Sequence, residues 1–154
     1  MDDVLIIRPP KTKDEYNLMH DLKWRVLRES LGQPKGTGIK ETANDYELIA
    51  LVDNKIIGTA GYKKLNDTVA MVKDLVVENA YRKRGVARNL MEALEMTAKK
   101  QGFIHLILLT RENSTTTLKK LGFTSIETVS NNNIQYVKMI KKLKKSRLDS
   151  YFNL

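Results

Sequence analysis

The chain has 154 residues, no cysteine, and a formal net charge of +9 from 27 Lys and Arg against 18 Asp and Glu. That length is typical of one domain with its own hydrophobic core, and the lack of cysteine excludes disulfides, thiolate nucleophiles and cysteine-bound metals. The acidic first residues lack the basic segment of a signal peptide, and no apolar run is long enough to span a membrane, so we expect a soluble cytoplasmic protein with no membrane partner.

The N-terminal part of the chain predicts a strand, a helix and a loop. The apolar run at residues 4–7 ends at two prolines and indicates a strand. A helix capped by Thr12 or Asp14 is expected to follow, with Leu18, Leu22 and Leu27 on its apolar stripe. The glycine-rich stretch at residues 31–38 is typical of a loop, and we interpret it as part of an acceptor site.

The middle of the chain predicts an antiparallel meander and one long helix. Three strand-like segments at residues 47–52, 56–64 and 69–77 are separated by tight turns. Residues 84–101 then form the strongest predicted helix, since apolar residues recur there every four positions. Its apolar stripe contains Val86, Leu90, Leu94 and Ala98.

The last third of the chain predicts a buried strand at residues 104–109, a short helix at 114–121 and two strands at 123–129 and 134–140. The complete order implies an α/β (α+β) fold, with a single mixed, mainly antiparallel central sheet and helices on both faces. We expect one domain over residues 1–141 and a basic tail over residues 142–154, since runs of like charge are usually solvated.

The junction between the third meander strand and the long helix concentrates positive charge at a helix N-terminus. The four cations of this junction are Arg82, Lys83, Arg84 and Arg88. The first N–H groups of a helix have no internal partner and the helix dipole is positive there, so such a turn binds anions. Gly85 permits close approach of a ligand. Cations at this end are unfavourable unless an anion arrives, which predicts an anion site; a solvated basic turn is the alternative.

The same junction resembles the GNAT superfamily of acetyl-CoA-dependent N-acetyltransferases. The family signature Arg/Gln-x-x-Gly-x-Gly/Ala is matched by Arg82, Gly85 and Ala87. Residues 118–123 resemble the family motif that ends in Lys-Leu-Gly-Phe, and the order of elements agrees over about residues 4–141. The family's Leu-x-Val strand end and its Tyr-Arg pair are matched by Leu75, Val77, Tyr81 and Arg82.

The resemblance implies acetyl-CoA as a co-substrate. The thioester would lie against the end of the third meander strand, the pantetheine arm between that strand and the next, and the pyrophosphate on the junction. The implied contacts are Leu75, Val76, Val77, Arg82, Lys83, Arg84, Gly85, Val86, Ala87 and Arg88. Arg111 or Asn113, just after the next strand, could reach the arm. His20 and His105 are isolated, so no metal site is expected.

The catalytic residues of this chain depart from the family pattern. Many members have a tyrosine that acts as the general acid four residues before the Gly-Phe pair, where this chain has Leu118. Members often have a glutamate that acts as the general base on the strand before the junction, where this chain has Met71 and Lys73. Asp74 is the only carboxylate on that strand, and Tyr136 lies on the last strand. These two are the candidate catalytic residues, and a structural role is the alternative for each.

Three functions remain compatible with the sequence. The first is an N-acetyltransferase that moves an acetyl group from acetyl-CoA to a primary amine by direct ternary-complex attack, because no cysteine can carry an acyl group. The amine would belong to a small molecule or a protein, and a homodimer is left open. The second is an acyl-CoA-binding module with little or no turnover. The third, a nucleic-acid-binding protein, ranks below both because no recognised binding motif appears.

Overall fold

A computed structural model describes residues 4–28 and 44–143 of the chain. The helices are α1 (Lys13–Lys23), α2 (Val86–Lys100) and α3 (Thr115–Lys120). The strands are β1 (Leu5–Arg8), β2 (Tyr46–Val52), β3 (Lys55–Lys64), β4 (Val69–Val77), β5 (His105–Thr110), β6 (Thr124–Asn131) and β7 (Ile134–Lys142). A π-helical turn, Trp24–Arg28, follows α1, and 3-10 turns occupy Asn79–Tyr81 and Glu112–Ser114.

The strands form one seven-stranded sheet in the order β1-β2-β3-β4-β5-β7-β6. Strand β4 pairs with β5 in parallel over residues 69–71, whereas the pairings β1–β2, β2–β3, β5–β7 and β6–β7 are antiparallel. The predicted element order and the predicted mixed, mainly antiparallel sheet are confirmed.

Two predicted boundaries differ from the structure. Helix α2 begins at Val86 and not at residue 84, because Gly85 has a backbone φ of +81°, which lies outside the helical range. The last hairpin turns on Asn132 and Asn133 alone, whose φ values of +50° and +64° suit a two-residue turn. The predicted loop at residues 31–38 and the tail from residue 144 onward lie outside the described residues. The boundary between a 1–141 domain and its tail stays a prediction.

The chain divides into two compact units, Met1–Lys63 with Val72–Leu94 and Lys64–Met71 with Glu95–Leu154. In the second unit, β5 buries three consecutive residues, so it is covered on both faces as its apolar sequence predicts. Lys141 Nζ donates to Glu95 Oε1 at 2.8 Å and to the carbonyl oxygen of Leu121 at 2.7 Å. This ammonium therefore caps the C-terminal end of α3.

Within the first unit, helices cover opposite faces of the sheet. Helix α1 packs against Ile49 of β2. The next residue, Ala50, points to the other face because strand side chains alternate, and its partner on β3 is Gly58. A Cβ on Gly58 would lie 3.3 Å from side-chain atoms of Val86 and Leu90, so α2 packs on that second face. The prediction of helices on both faces is confirmed.

Helix α1 begins where its cap predicts, because Thr12 Oγ1 accepts the backbone N–H of Glu15 at 3.1 Å. Its buried residues are Met19, Leu22 and Lys23, which follow the i, i+3, i+4 spacing of a helix face. Leu18, expected on this stripe, is 56% exposed instead. A lysine therefore takes a position on the buried face of the helix.

Glu15 gives the fold a predictable acid dependence. The carboxylate of Glu15 accepts hydrogen bonds from the Arg8 guanidinium at 2.6 and 2.9 Å and from the N–H of Lys11 at 2.7 Å. These bonds, with Arg8 first, lower the pKa of Glu15 to about 2. A glutamate in the unfolded chain titrates near about 4.3, so the stabilisation is complete above about pH 5 and is lost as the pH falls toward 2.

We therefore expect Glu15→Gln to be less stable than the wild type near neutral pH and to approach it by about pH 2. Urea denaturation across this range measures the two free energies of unfolding. A stability difference that stays constant from neutral pH to about pH 2 would contradict the assignment.

Candidate functional site

The junction between β4 and α2 forms a concave turn of backbone N–H groups in the first unit. After the 3-10 turn Asn79–Tyr81, Lys83 and Gly85 adopt positive φ values of 63° and 81°. The first hydrogen bond of α2 runs from the N–H of Asn89 to the carbonyl oxygen of Gly85 at 3.0 Å. The N–H groups of Val86, Ala87 and Arg88 precede this bond and have no intrahelical acceptor. When left-handed residues alternate with residues of other conformations, successive backbone N–H groups face one place, and such turns bind anions.

The four cations of the junction have different surroundings. Lys83, Arg84 and Arg88 are exposed, and the guanidinium carbon of Arg84 lies 5.4 Å from the centroid of the Tyr81 ring. Arg82 Nε instead donates to the carbonyl oxygen of Val77 at 3.2 Å. Arg82 is exposed as well, but this bond ties the turn to the end of β4.

Gly85 leaves open space at the start of α2. A Cβ built on this residue would meet no heavy atom within 4 Å among the described residues, and its φ of +81° disfavours any side chain. The glycine thus exposes its own peptide group and those beside it. A bulky anion can approach the backbone here without meeting a side chain.

Two contacts hold the beginning of the junction in place. The N–H of Glu78 donates to the carbonyl oxygen of Ile57 on β3 at 2.8 Å. The Glu78 carboxylate accepts from Arg25 Nη2 at 2.7 Å, and Arg25 Nε donates to Asp21 Oδ2 at 3.0 Å. The turn is therefore anchored to both β3 and the π-helical turn, which limits its movement when a ligand binds.

Strand β4 contains one left-handed residue, Asp74, with a φ of +59°. A non-glycine residue in this conformation is uncommon and is found often at functional sites. It interrupts the regular alternation of the strand in the manner of a bulge and redirects the peptide groups that follow. Those groups belong to Leu75, which is partly exposed, and to the buried Val76 and Val77.

Asp74 belongs to a buried cluster of charged side chains. Lys23 Nζ lies 2.8 Å from Glu47 Oε1 and 3.6 Å from Asp74 Oδ2, and the three side chains are only 5%, 12% and 7% exposed. Asn44 Nδ2 donates to the same two oxygens at 3.3 and 3.2 Å. His20 Nδ1 and Asn44 Oδ1 are buried without a hydrogen-bond partner among the described residues.

The cluster shifts the titration of two of its members in opposite directions. Burial raises the pKa of Asp74, and the Lys23 ammonium and the Asn44 amide oppose that rise. Burial lowers the pKa of His20, and the positive charge of Lys23 lowers it further. Burial is thus the largest cause of both shifts, and Lys23 is the largest influence that opposes it at Asp74.

The second unit brings two of the predicted site residues together. The guanidinium carbon of Arg111 lies 6.0 Å from the centroid of the Tyr136 ring, at the outer limit of a cation–π contact. Asn113, in the adjacent 3-10 turn, is exposed. The roles of Arg111, Asn113 and Tyr136 in binding or catalysis stay predictions.

Leu118, where the resemblance expects an acidic tyrosine, is 7% exposed and belongs to the core. A phenol would overfill this site, so we expect Leu118→Tyr to lower the free energy of unfolding by about 1–3 kcal/mol without raising an acetyl-transfer rate. Leu65→Tyr, at a leucine that is 48% exposed, is the matched control and should change stability by less than about 0.5 kcal/mol. Thermal unfolding separates the two. A stable, faster Leu118→Tyr variant would mean that this side chain can reach the reacting atoms.

The sequence interpretation missed Lys23, Asn44 and Glu47. The sequence pattern marks two of them. Lys23 lies four residues after Met19 on the buried stripe of α1, and Glu47 lies two residues before Ile49 and so shares its face of β2. A charged residue at a position reserved for apolar side chains indicates a buried ion pair. Asn44 carries no such signal, since it lies before the strand.

No group of three or more His, Cys, Asp or Glu side chains in the described ranges could hold a metal ion. Within the same ranges, no helix combines the length and apolar character that membrane crossing requires.

Comparison with known proteins gives a family match and several solved structures of similar fold. A family model described as "Acetyltransferase (GNAT) family" matches residues 14–123, well over half of the chain. A crystal structure of an aminoglycoside 6'-N-acetyltransferase complexed with coenzyme A has a TM-score of 0.80 at 19% identity, covering 92% of this chain and 98% of that chain. A putative N-acetyltransferase from Lactobacillus plantarum has a TM-score of 0.79 at 19% identity, and the match covers 91% of this chain and 99% of that chain. An aminoglycoside 6'-N-acetyltransferase from Enterococcus faecium has a TM-score of 0.78 at 19% identity, and the match covers 92% of this chain and 98% of that chain. At these identities the similarity shows a shared fold.

Proposed function

The chain belongs to the acetyltransferase (GNAT) family, and from that premise we propose that it transfers an acetyl group from acetyl-CoA to a primary amine by direct attack in a ternary complex. The observation that carries this proposal is the N–H turn at the start of α2, open above Gly85 and surrounded by exposed cations. The absence of cysteine supports direct attack, because no thiol can carry the acetyl group.

The pyrophosphate of CoA fits the junction in charge and in hydrogen bonding. The N–H groups of Arg84, Gly85, Val86, Ala87 and Arg88 supply donors, and the helix dipole adds partial positive charge. The side chains of Lys83, Arg84 and Arg88 neutralise the phosphates. Arg82 contributes differently, because its bond to the Val77 carbonyl oxygen maintains the shape of the turn.

The end of β4 is the proposed site of the thioester. Backbone groups of Leu75, Val76 and Val77 would pair with the pantetheine arm and with the thioester carbonyl. The left-handed conformation of Asp74 redirects these peptide groups. An N–H aimed at the carbonyl oxygen stabilises the negative charge that forms during attack, by about 3 kcal/mol per donor in related chemistry. Arg111 or Asn113 would support the arm.

Asp74 is the proposed base and Tyr136 the proposed second catalytic residue. The acceptor ammonium must lose a proton before its nitrogen attacks the thioester carbon and the C–S bond breaks. Because the Asp74 side chain is only 7% exposed, it would take this proton through one water molecule. The acetylated nitrogen must then lose a second proton and the leaving thiolate must gain one. Tyr136 stays the predicted residue for this step, because Leu118 cannot donate a proton.

One observation favours the alternative of an acyl-CoA-binding module. The position of the usual acidic tyrosine holds a leucine that packs in the core, and such a chain would bind the same ligand with little turnover. Both functions use the junction, so they differ only in whether the thioester is consumed. The acceptor, a small-molecule amine or a protein amine, stays open in either case.

Two measurements test these proposals in order. Thermal unfolding with acetyl-CoA or CoA should show a rise in melting temperature, because ligand binding stabilises the folded state. Release of free CoA thiol should then be followed with a panel of diamines, amino acids, aminoglycosides and lysine peptides. Thiol release with an amine supports transfer, whereas binding without release from any amine supports the binding module. The absence of any thermal shift would overturn both.

A further inference from the structure

We propose that Lys23 is a positioning residue for the reaction, which holds the Asp74 carboxylate ionised and oriented beside the left-handed step of β4. Glu47 is its counter-charge, and keeps the ammonium at the end of α1. This inference rests on the proposed function, in which Asp74 accepts the proton of the acceptor amine.

The geometry of Lys23 is difficult to explain by packing alone. Its residue surface is 4% exposed, and a buried ammonium must be compensated by charges and hydrogen bonds that a leucine at this position would not need. The compensation comes from two strands distant in sequence, through Glu47 at 2.8 Å and Asp74 at 3.6 Å. The lysine therefore links α1 to β2 and β4 at the point where β4 changes conformation.

The charges that act on Asp74 have opposite signs and known origins. Lys23, Lys73 and the Asn44 amide favour the ionised carboxylate, whereas burial and the Glu47 carboxylate disfavour it. Burial already outweighs the favourable groups, and among these Lys23 exerts the largest effect, so its removal raises the pKa of Asp74 further.

This balance matters for catalysis because only the ionised form of Asp74 can accept a proton. Protonation would also remove the negative charge that attracts the Lys23 ammonium at 3.6 Å and weaken the hydrogen bond that Asn44 Nδ2 donates at 3.2 Å. Loss of Lys23 therefore changes the charge of Asp74 and weakens the contacts that orient it.

The test compares Lys23→Met with Glu47→Gln, two variants that perturb Asp74 in opposite directions. The Asp74 carboxyl titration is followed by ¹³C NMR, with Asp74→Asn to identify its signal, and the acid limb of kcat/KM is measured on the same proteins. Lys23→Met should move the midpoint of both upward by about one pH unit or more, and Glu47→Gln should move both downward. Lys64→Met, which breaks an exposed pair with Asp67, is the matched control and should move neither.

Opposite shifts in both measurements support the inference, and a residue with a purely structural role would not produce them. An unshifted Asp74 titration, or shifts of the same sign in the two variants, overturns it. A shifted titration with an unmoved acid limb shows that Asp74 does not act in the reaction and also overturns it. If Lys23→Met does not fold, Glu47→Gln decides by the direction of its shift. Failure of the wild type to bind CoA or release thiol overturns the proposed function instead, and the NMR midpoints still decide whether Lys23 controls Asp74.

Discussion

Replacing Gly85 by aspartate should weaken CoA binding more than a hundredfold. The new carboxylate would stand over the N–H turn, where no atom of the described residues beyond the adjacent ones lies within 4 Å of the Cβ position. A negative charge about 5 Å from a phosphate charge costs about 3 kcal/mol at an effective dielectric constant of about 20, which exceeds two orders of magnitude in Kd. The side chain also occupies the space through which the ligand would approach. Isothermal titration calorimetry with CoA measures the loss.

Gly102→Asp is the matched control for this experiment. Gly102 follows α2 at its other end and has a φ of +92°, and its Cβ position is likewise free of contacts within 4 Å from the part of the chain that the structure describes. Aspartate there suffers the same backbone strain and adds the same charge, so both variants should lose similar stability. Only Gly85→Asp should lose CoA affinity. Near-normal affinity in that variant would place the pyrophosphate elsewhere.

Replacing Lys23 by methionine should lower the free energy of unfolding by about 3–5 kcal/mol, the usual cost of removing one partner from a buried ion pair. Methionine is close in length and fills the space, so the loss reports charge more than packing. The two carboxylates of Glu47 and Asp74 would remain buried and face each other without a cation. Urea denaturation at neutral pH measures the effect.

A double-mutant cycle separates charge from volume in this prediction. Lys23→Met with Glu47→Gln removes one charge of each sign and should be more stable than Lys23→Met alone, because a single buried carboxylate remains. Lys64→Met breaks an exposed pair, with side chains 54% and 95% exposed, and should cost less than about 1 kcal/mol. If Lys23→Met were as mild as Lys64→Met, the buried cluster would contribute no net stabilisation to the fold.

The order of elements could be predicted because each element has a local signature. Strand β4 and helix α2 follow from alternation and from a four-residue apolar repeat, and both were located to within two residues. The two-residue shift at the start of α2 has a local cause in the φ of Gly85. Residues that determine such boundaries lie within a few positions of them in the chain, which is why the sequence was sufficient.

The candidate CoA site could be proposed from the sequence, since all its residues except Arg111 and Asn113 lie between Leu75 and Arg88. The different roles of these residues could not be predicted from the sequence. The four junction cations look equivalent in the sequence and all are exposed, but Arg82 Nε donates to the Val77 carbonyl oxygen, which ties the turn to the end of β4. A side chain's choice between a backbone acceptor and solvent depends on where the strand end lies in space.

The sequence by itself determined the fold class and the position of the turn that we propose binds the pyrophosphate, because periodicity, turn residues and helix-terminal charge act over a few consecutive positions. The tertiary structure alone decided the surroundings of Asp74. Lys23, Glu47 and Asp74 lie on three elements separated by 24 residues or more, as in the 24-residue spacing of the Lys23–Glu47 pair. Only packing of α1 onto the sheet brings these charges together away from water, where their interaction becomes strong enough to control a protonation state.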